Sequence, residues 1–158
     1  KKYTALAIKA ILGWKSQMAW IRVDDGPGRK VDLTGLFAMM QAETFGGGYR
    51  VAPGMHPFGD SSRIVLGFGL SKVQMLFVMG PLEKGKHVGK WGKITMEPCK
   101  TFEIRALDEN GEPTLERGHD PPLYISLDGE ISITTPVKFD FHPNVLNVRG
   151  GHSPPNTE

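Results

Sequence analysis

One stretch limits the folds open to this chain more than any other: Tyr124-Ile-Ser-Leu-Asp-Gly-Glu-Ile131, a strand-like run that meets Asp128-Gly129 and resumes at once at Glu130. Ile125 and Leu127 alternate with smaller or more polar neighbours before the dipeptide, and Ile131 and Ile133 alternate with Ser132 and Thr134 after it. Alternation with period two marks a half-buried strand, and Asp-Gly suits the two-residue type I′ turn, whose central residues both need φ > 0. The pattern predicts a β-hairpin with Leu127 and Ile131 buried, joined in the core by Phe139 and Phe141 of the strand that follows. Glu130 is then a carboxylate at an exposed rim, beside a glycine with no side chain to block an approaching ligand. A purely structural turn is the plainer reading of the same residues.

Elsewhere the chain is written in similar short units. Gly 20 and Pro 12 in 158 residues supply turns at the density that many short strands require. That length suits one domain with a core of its own and leaves no room for a second. A formal net charge of +2 and a pI near 8.7 fall short of the clustered basic face that nucleic acid calls for, so no nucleic-acid partner is expected. Cys99 is alone, which excludes an intrachain disulfide framework and a multi-cysteine zinc site and fits a reducing, cytoplasmic setting.

Lys1-Lys2 and the apolar run from Tyr3 to Trp14 lack a small-residue cleavage site and are too short to span a bilayer. They read as an amphipathic helix with Tyr3, Ala7, Ala10 and Trp14 on one stripe, which either packs on this domain or connects it to another. A helix beginning at a first residue that is not Met raises the expectation of a longer parent chain. Ala19 to Val23 alternates as a strand closed by Asp24-Asp25-Gly26-Pro27-Gly28. Val31 to Thr44 is extended, and its run Leu36 to Met40 has the length of a strand buried on both faces. The glycines of Phe45-Gly46-Gly47-Gly48-Tyr49 mark a bent strand or a close approach to the backbone; a Walker phosphate loop would need Lys-Ser or Lys-Thr and then a helix. Arg63 to Leu70 carries Ile64, Leu66 and Phe68 on one strand face, and Ser71 caps a helix through Met79 with Pro81 beyond its end.

Leu82 to Trp91, with Lys84, Lys86, His87 and Lys90, reads as a solvated loop or a site for phosphate or anionic lipid head groups. Lys93 to Met96 and Thr101 to Leu107 suggest a strand pair joined around Pro98-Cys99-Lys100, with Cys99 an inert thiol. A flexible connection from Asp108 to Pro122 leads to the hairpin. Val137, Phe139 and Phe141 then alternate in a strand, Val145 to Val148 returns, and residues 151–158 form a polar tail. Together these elements predict a mainly β fold, an antiparallel β-sandwich or distorted barrel with one or two short helices.

The order of features resembles a known family. Phe45-Gly-Gly-Gly, Ala52-Pro53, Asp60, an alternating strand, Gly85-Lys86-His87, Leu127-Asp128-Gly129-Glu130, Thr135-Pro136-Val137 and His142-Pro143-Asn144-Val145-Leu146 follow one another as in the C-terminal domain of the diacylglycerol kinase and sphingosine kinase family, lipid kinases related to the NAD kinases. The likeness runs from the first helix to Gly150, so residues 1–150 are expected to form that domain, with 1–14 as a connecting helix. The resemblance implies half of a two-domain, cytoplasmic enzyme with peripheral membrane contact that transfers the ATP γ-phosphoryl group to a lipid hydroxyl. In such enzymes an N-terminal α/β domain holds the nucleotide in a Gly-Gly-Asp-Gly loop, which this chain lacks, and the C-terminal β-sandwich closes the cleft and supplies part of the lipid site.

Asp128, Gly129 and Glu130 match the family's Asp-Gly-Glu motif at the interdomain cleft. The resemblance implies contact with the nucleotide for all three and leaves two roles for Glu130, proton acceptor or ligand of the metal on the phosphates. Asp60 matches an aspartate that binds Mg²⁺ in some bacterial members, although Ser61 stands where they have Gly. The partners so implied are a lipid substrate and an N-terminal kinase domain of the same polypeptide, and the cofactors are ATP and Mg²⁺. Two other readings stay open, a non-catalytic lipid- or partner-binding β-sandwich and an NAD kinase-related domain.

Overall fold

A computed structural model describes residues 2–33, 37–116, 123–128, 130–143 and 145. The expected return strand from Val145 to Val148 and the tail at 151–158 lie outside the described residues, apart from an exposed Val145. Helix α1 (Lys2–Gly13) leads into strands β1 (Met18–Val23), β2 (Arg29–Asp32), β3 (Phe37–Met40) and β4 (Arg63–Gly67). Helix α2 (Lys72–Glu83) and a 3₁₀ turn (Lys90–Gly92) precede β5 (Ile94–Pro98), β6 (Thr101–Ala106), β7 (Tyr124–Leu127), β8 (Glu130–Thr134) and β9 (Val137–Asp140). The strands form three antiparallel sheets, in the orders β2-β1-β6-β9, β3-β4-β5 and β7-β8, and among the described residues no sheet closes into a barrel. Of the two architectures expected, the sandwich is the one found.

Strand β4 shows why the layers stack as they do. Ile64 and Leu66 point into a core shared with Ala19 and Ile21 of β1 and Phe102 and Ile104 of β6. Val65, between them, points the other way, into a second core with Val51, Ala52, Met55, Leu70 and Val78. A strand with apolar residues at 64, 65 and 66 in succession must be covered on both faces. In this fold the four-stranded sheet covers one face, and α2 with the 49–55 loop covers the other.

Lys93 to Met96 and Thr101 to Leu107 do not pair with each other, contrary to the sequence reading. β5 pairs with β4, while β6 pairs with β1 and β9. The two residues between them carry the chain from one sheet to the other, and Asp24 fixes the crossing: its Oδ1 accepts from the Lys100 and Thr101 N–H groups, each at 2.7 Å. Cys99 is buried there, and burial first, then Asp24 and Glu97, pushes its pKa up to about 11. It is therefore a protonated and unreactive thiol at neutral pH.

α2 starts as the sequence indicates, with a Ser71 capping box to Gln74, but it runs past Met79 and includes Pro81. A proline costs a helix one N–H and crowds the carbonyl four residues back, which is tolerable in a last turn that is already ending. The ending is a Schellman motif: Gly85 N–H donates to Leu82 O (3.2 Å), Lys86 N–H donates to Pro81 O (2.7 Å), and Gly85 takes φ +67. A Cβ on Gly85 would also lie 3.1 Å from the Pro53 Cβ, so glycine serves both the turn and the packing on the 49–55 loop.

Candidate functional site

Two parts of the molecule are candidates for a functional site, the β7–β8 turn and a cavity between the helices. The turn is the one its residues dictate: Leu127 pairs with Glu130 across it, and Asp128 has φ +49. Asp128 and Glu130 are exposed, as expected of a rim; Gly129 lies outside the described residues. The expected burial around them is not found. Leu127 is 41% exposed and Ile131 71%, while Phe139 and Phe141 are only partly covered. The hairpin is its own two-stranded sheet, with a bulge between Ile125 and Ser126, so no second sheet lies over its tip. Its root is anchored, with Ile125 packed on the main core, Leu123 inside it, and the Thr135 N–H donating to Leu123 O at 3.1 Å.

Asp60 is also exposed, in the loop that enters β4. The Gly59 N–H closes a tight turn on His56 O at 2.9 Å just before it. Among the described residues no three His, Cys, Asp or Glu side chains come together to hold a metal ion.

The cavity, about 370 Å³, opens at the far end of β4 from Asp60. Its walls are Met75, Val78, Met79 and Leu82 of α2, Ala10 and Ile11 of α1, Gly67, Leu70 and Ile94 at its back, and Phe45, Gly46 and Tyr49 from the glycine loop. That loop is closed by Phe45 and Tyr49, whose N–H groups donate to each other's carbonyls at 3.0 and 3.2 Å, while Gly46, Gly47 and Gly48 all take positive φ. Three successive left-handed residues make a tight reversal open only to glycine, so the run is a wall of the cavity and not a phosphate loop. Helix α1 touches this domain. α1 lies against α2, the Lys72 ammonium donates to Leu12 O at 2.7 Å, and the Trp14 indole donates to Leu33 O at 2.9 Å, although Leu6 and Leu12 stay exposed.

His87 forms part of the lining and is 1% exposed, so the solvated-loop reading of Leu82 to Trp91 fails at this residue. The Schellman reversal at Gly85 turns the chain back over the end of α2 and carries the ring inward. Its Nε2 lies 3.0 Å from Val51 O. The 49–55 loop that presents this carbonyl is tied down by Glu43, whose Oε1 accepts from Arg50 (2.7 Å) and the Gly54 N–H (2.9 Å) and whose pKa is held low chiefly by Arg50. Sequence reasoning missed His87 because a His among lysines reads as solvated; the signal was Gly85 at a helix C′ position two residues earlier.

Burial lowers the pKa of His87, against a smaller upward pull from the Val51 carbonyl. The unfolded chain therefore binds an extra proton as pH falls below the ordinary value of 6.5. Stability is full above that pH and drops below it, by at most about 1.4 kcal/mol per pH unit for one proton. Melting temperatures from pH 7.5 to 5.5 should show this decline in the wild type and a shallower one in His87→Gln.

The family model of the YegS C-terminal NAD kinase β-sandwich-like domain matches residues 1–150. The chain belongs to this family. Two solved structures from Bacillus anthracis str. Sterne, each of a protein provisionally assigned as a diacylglycerol kinase, share the fold of this YegS-type domain. One superposes with a TM-score of 0.57 at 15% identity over 87% of this chain and 41% of its own. The other does so with a TM-score of 0.51 at 16% identity over 89% of this chain and 42% of its own. The YegS-type domain thus spans about two fifths of the solved chains it matches. No curated protein matches it in sequence. Among its described residues no helix is long and apolar enough to cross a membrane.

Proposed function

We propose that this domain is the lipid-substrate side of an ATP-dependent, cytoplasmic lipid kinase acting on a diacylglycerol- or sphingosine-like hydroxyl, and that the cavity between α1 and α2 receives the lipid's hydrocarbon chain. The cavity carries the reading: about 370 Å³ walled mostly by apolar side chains lies within the size range of ligand pockets and suits a chain better than a polar head. The exposed turn supports the rest. Leu127, which pairs with Glu130, and Ile131, next to it in the strand, are exposed apolar side chains near the turn that a folded partner would cover, as an N-terminal kinase domain of the same polypeptide would. On α2, Val73 and Phe77 stand exposed one turn apart beside Lys72, a face suited to resting on the surface of an anionic membrane.

In the assembled enzyme the lipid hydroxyl oxygen attacks the γ-phosphorus, ADP leaves, and the hydroxyl proton goes to a carboxylate, a task that falls to Glu130. Asp128 and Gly129 would border the phosphates. Mg²⁺, when bound, would neutralise charge on those phosphates. The 158-residue sequence contains no Gly-Gly-Asp-Gly loop, so on this reading it should bind a lipid analogue yet transfer no phosphate from ATP. Radiolabel transfer to lipid by these 158 residues alone would overturn that division of labour.

Asp60 would offer a Mg²⁺ one hard oxygen, with backbone carbonyls of the 56–62 loop and water as the further donors such an ion would need. At ten times its Kd such an ion stabilises the fold by about 1.4 kcal/mol, a melting shift of roughly 3–5 °C in a domain this size. Asp60→Asn should remove the difference between Mg²⁺ and EDTA buffers. Equal melting of the wild type in both buffers would make Asp60 a plain turn residue.

A further inference from the structure

The loop that follows α2, Lys84-Gly-Lys-His-Val-Gly-Lys-Trp-Gly-Lys93, presents a surface that neither core accounts for. Trp91 takes φ 53 and ψ 15, in the left-handed region, between Gly89 (φ 80) and Gly92 (φ 63). A bulky residue is strained there, and glycine or asparagine would fill the same turn without that cost. Packing ordinarily offsets such strain, yet the indole is 47% exposed, and Val88 nearby is exposed as well. The backbone fixes it in this position: the Lys90 N–H donates to His87 O at 3.1 Å, the Gly92 N–H to Gly89 O at 3.2 Å, and the Gly89 N–H to Ile94 O at 2.8 Å. A folded domain gains little from a strained aromatic residue that it leaves half in water.

The charge of the loop indicates what the indole meets. Lys84 and Lys86 are exposed and Lys90 partly so, none of the three pairs with a carboxylate among the described residues, and no acid occurs between Glu83 and Glu97. Lys93 is engaged: it donates to Gly69 O at 2.6 Å and to Gln74 Oε1 at 3.2 Å, which ties the end of the loop to the first turn of α2, where Lys72 and Val73 are exposed. A single soluble anion needs donors that converge on one point, whereas these ammonium groups are spread along exposed backbone. A plane of anionic head groups suits spread charge, and an indole belongs at the boundary between head groups and acyl chains. We propose that the 84–93 loop anchors this domain to anionic bilayers, with Trp91 in the interfacial layer and Lys84, Lys86 and Lys90 against the head groups. The inference rests on the reading of the domain as one that acts on lipids, and names the segment that meets the membrane and the charge of that membrane. Leu82, His87 and Ile94, within the loop or at its ends, all line the cavity, so a bilayer held here lies beside the site proposed for the lipid chain.

The test is co-sedimentation of the full chain with vesicles of phosphatidylcholine alone and with vesicles of phosphatidylcholine and phosphatidylserine in equal parts. The mixed vesicles should bind far more tightly, and the preference should shrink as salt rises. Lys84→Gln, Lys86→Gln and Lys90→Gln together should lower affinity for them about a hundredfold, roughly fivefold for each lysine. Trp91→Gly should lower it about tenfold. Fluorescence of the wild type adds a readout that needs no variant to fold: mixed vesicles with brominated acyl chains should quench tryptophan emission. The milder Trp91→Tyr should still bind and lose most of that quenching. Equal binding to both kinds of vesicle, undiminished binding by the folded lysine variant, or quenching unchanged in Trp91→Tyr overturns the inference and leaves the loop to a protein surface such as that of an N-terminal kinase domain. Titration with dodecanoic acid separates this outcome from that of the cavity: binding of mixed vesicles without the acid supports the anchor and overturns the cavity reading, and binding of the acid without vesicles does the reverse.

Discussion

Glu130→Gln in a full-length parent enzyme is expected to lower lipid phosphorylation by about two to four powers of ten while leaving the fold intact, the range for loss of a general base. The side chain is exposed beside a turn in which Asp128 takes φ +49, so an isosteric amide disturbs no packing. What it removes is the charge that, in the function proposed above, takes a proton from the attacking hydroxyl. Steady-state kinetics separates the two roles open to this residue. A drop in kcat at nearly unchanged KM for ATP marks the base, whereas a smaller loss carried by the KM for ATP marks a nucleotide or metal contact. Full activity in the variant would remove Glu130 from the site altogether.

Filling the cavity should abolish lipid binding almost as completely. Ala10 lines it from α1 and is exposed, so Ala10→Trp can place an indole in the space without entering either core. Displacing three or four methylenes at about 0.8 kcal/mol each weakens chain binding about a hundredfold. Titration with dodecanoic acid reads this directly, and an unchanged melting temperature shows that the domain is otherwise whole. Unchanged affinity would mean that the chain binds elsewhere, and the exposed apolar surface around Glu130 would be the next place to look.

The two sites differ in how far they could be read from residues alone. Asp128-Gly129 announced itself because a two-residue hairpin is a local device: the positive φ of Asp128, and the pairing of Leu127 with Glu130, follow from residues within a few positions of one another. The start of α2 was legible for the same reason, since the Ser71 box needs only Gln74. His87 was not legible. Its one hydrogen bond reaches Val51, 36 residues away, and its burial depends on how the end of α2 meets a loop held by Glu43 and Arg50.

The sequence by itself determined the alternation of β4 and of the hairpin, the turns, the helix cap and the order of motifs that places the chain in its family. Each of these is set by φ/ψ preference or by side-chain period over a few residues. Only the tertiary structure decided what covers each face. Alternation tells that Leu127 and Ile131 differ from their neighbours, yet they lie bare because the hairpin forms a separate sheet, while Val65 is buried because α2 lies over it. Likewise β5 and β6, adjacent in sequence, join different sheets because Asp24 binds the link between them. Burial is a property of pairs of surfaces brought together by long-range contacts, and a strand carries no local mark of the surface it will meet.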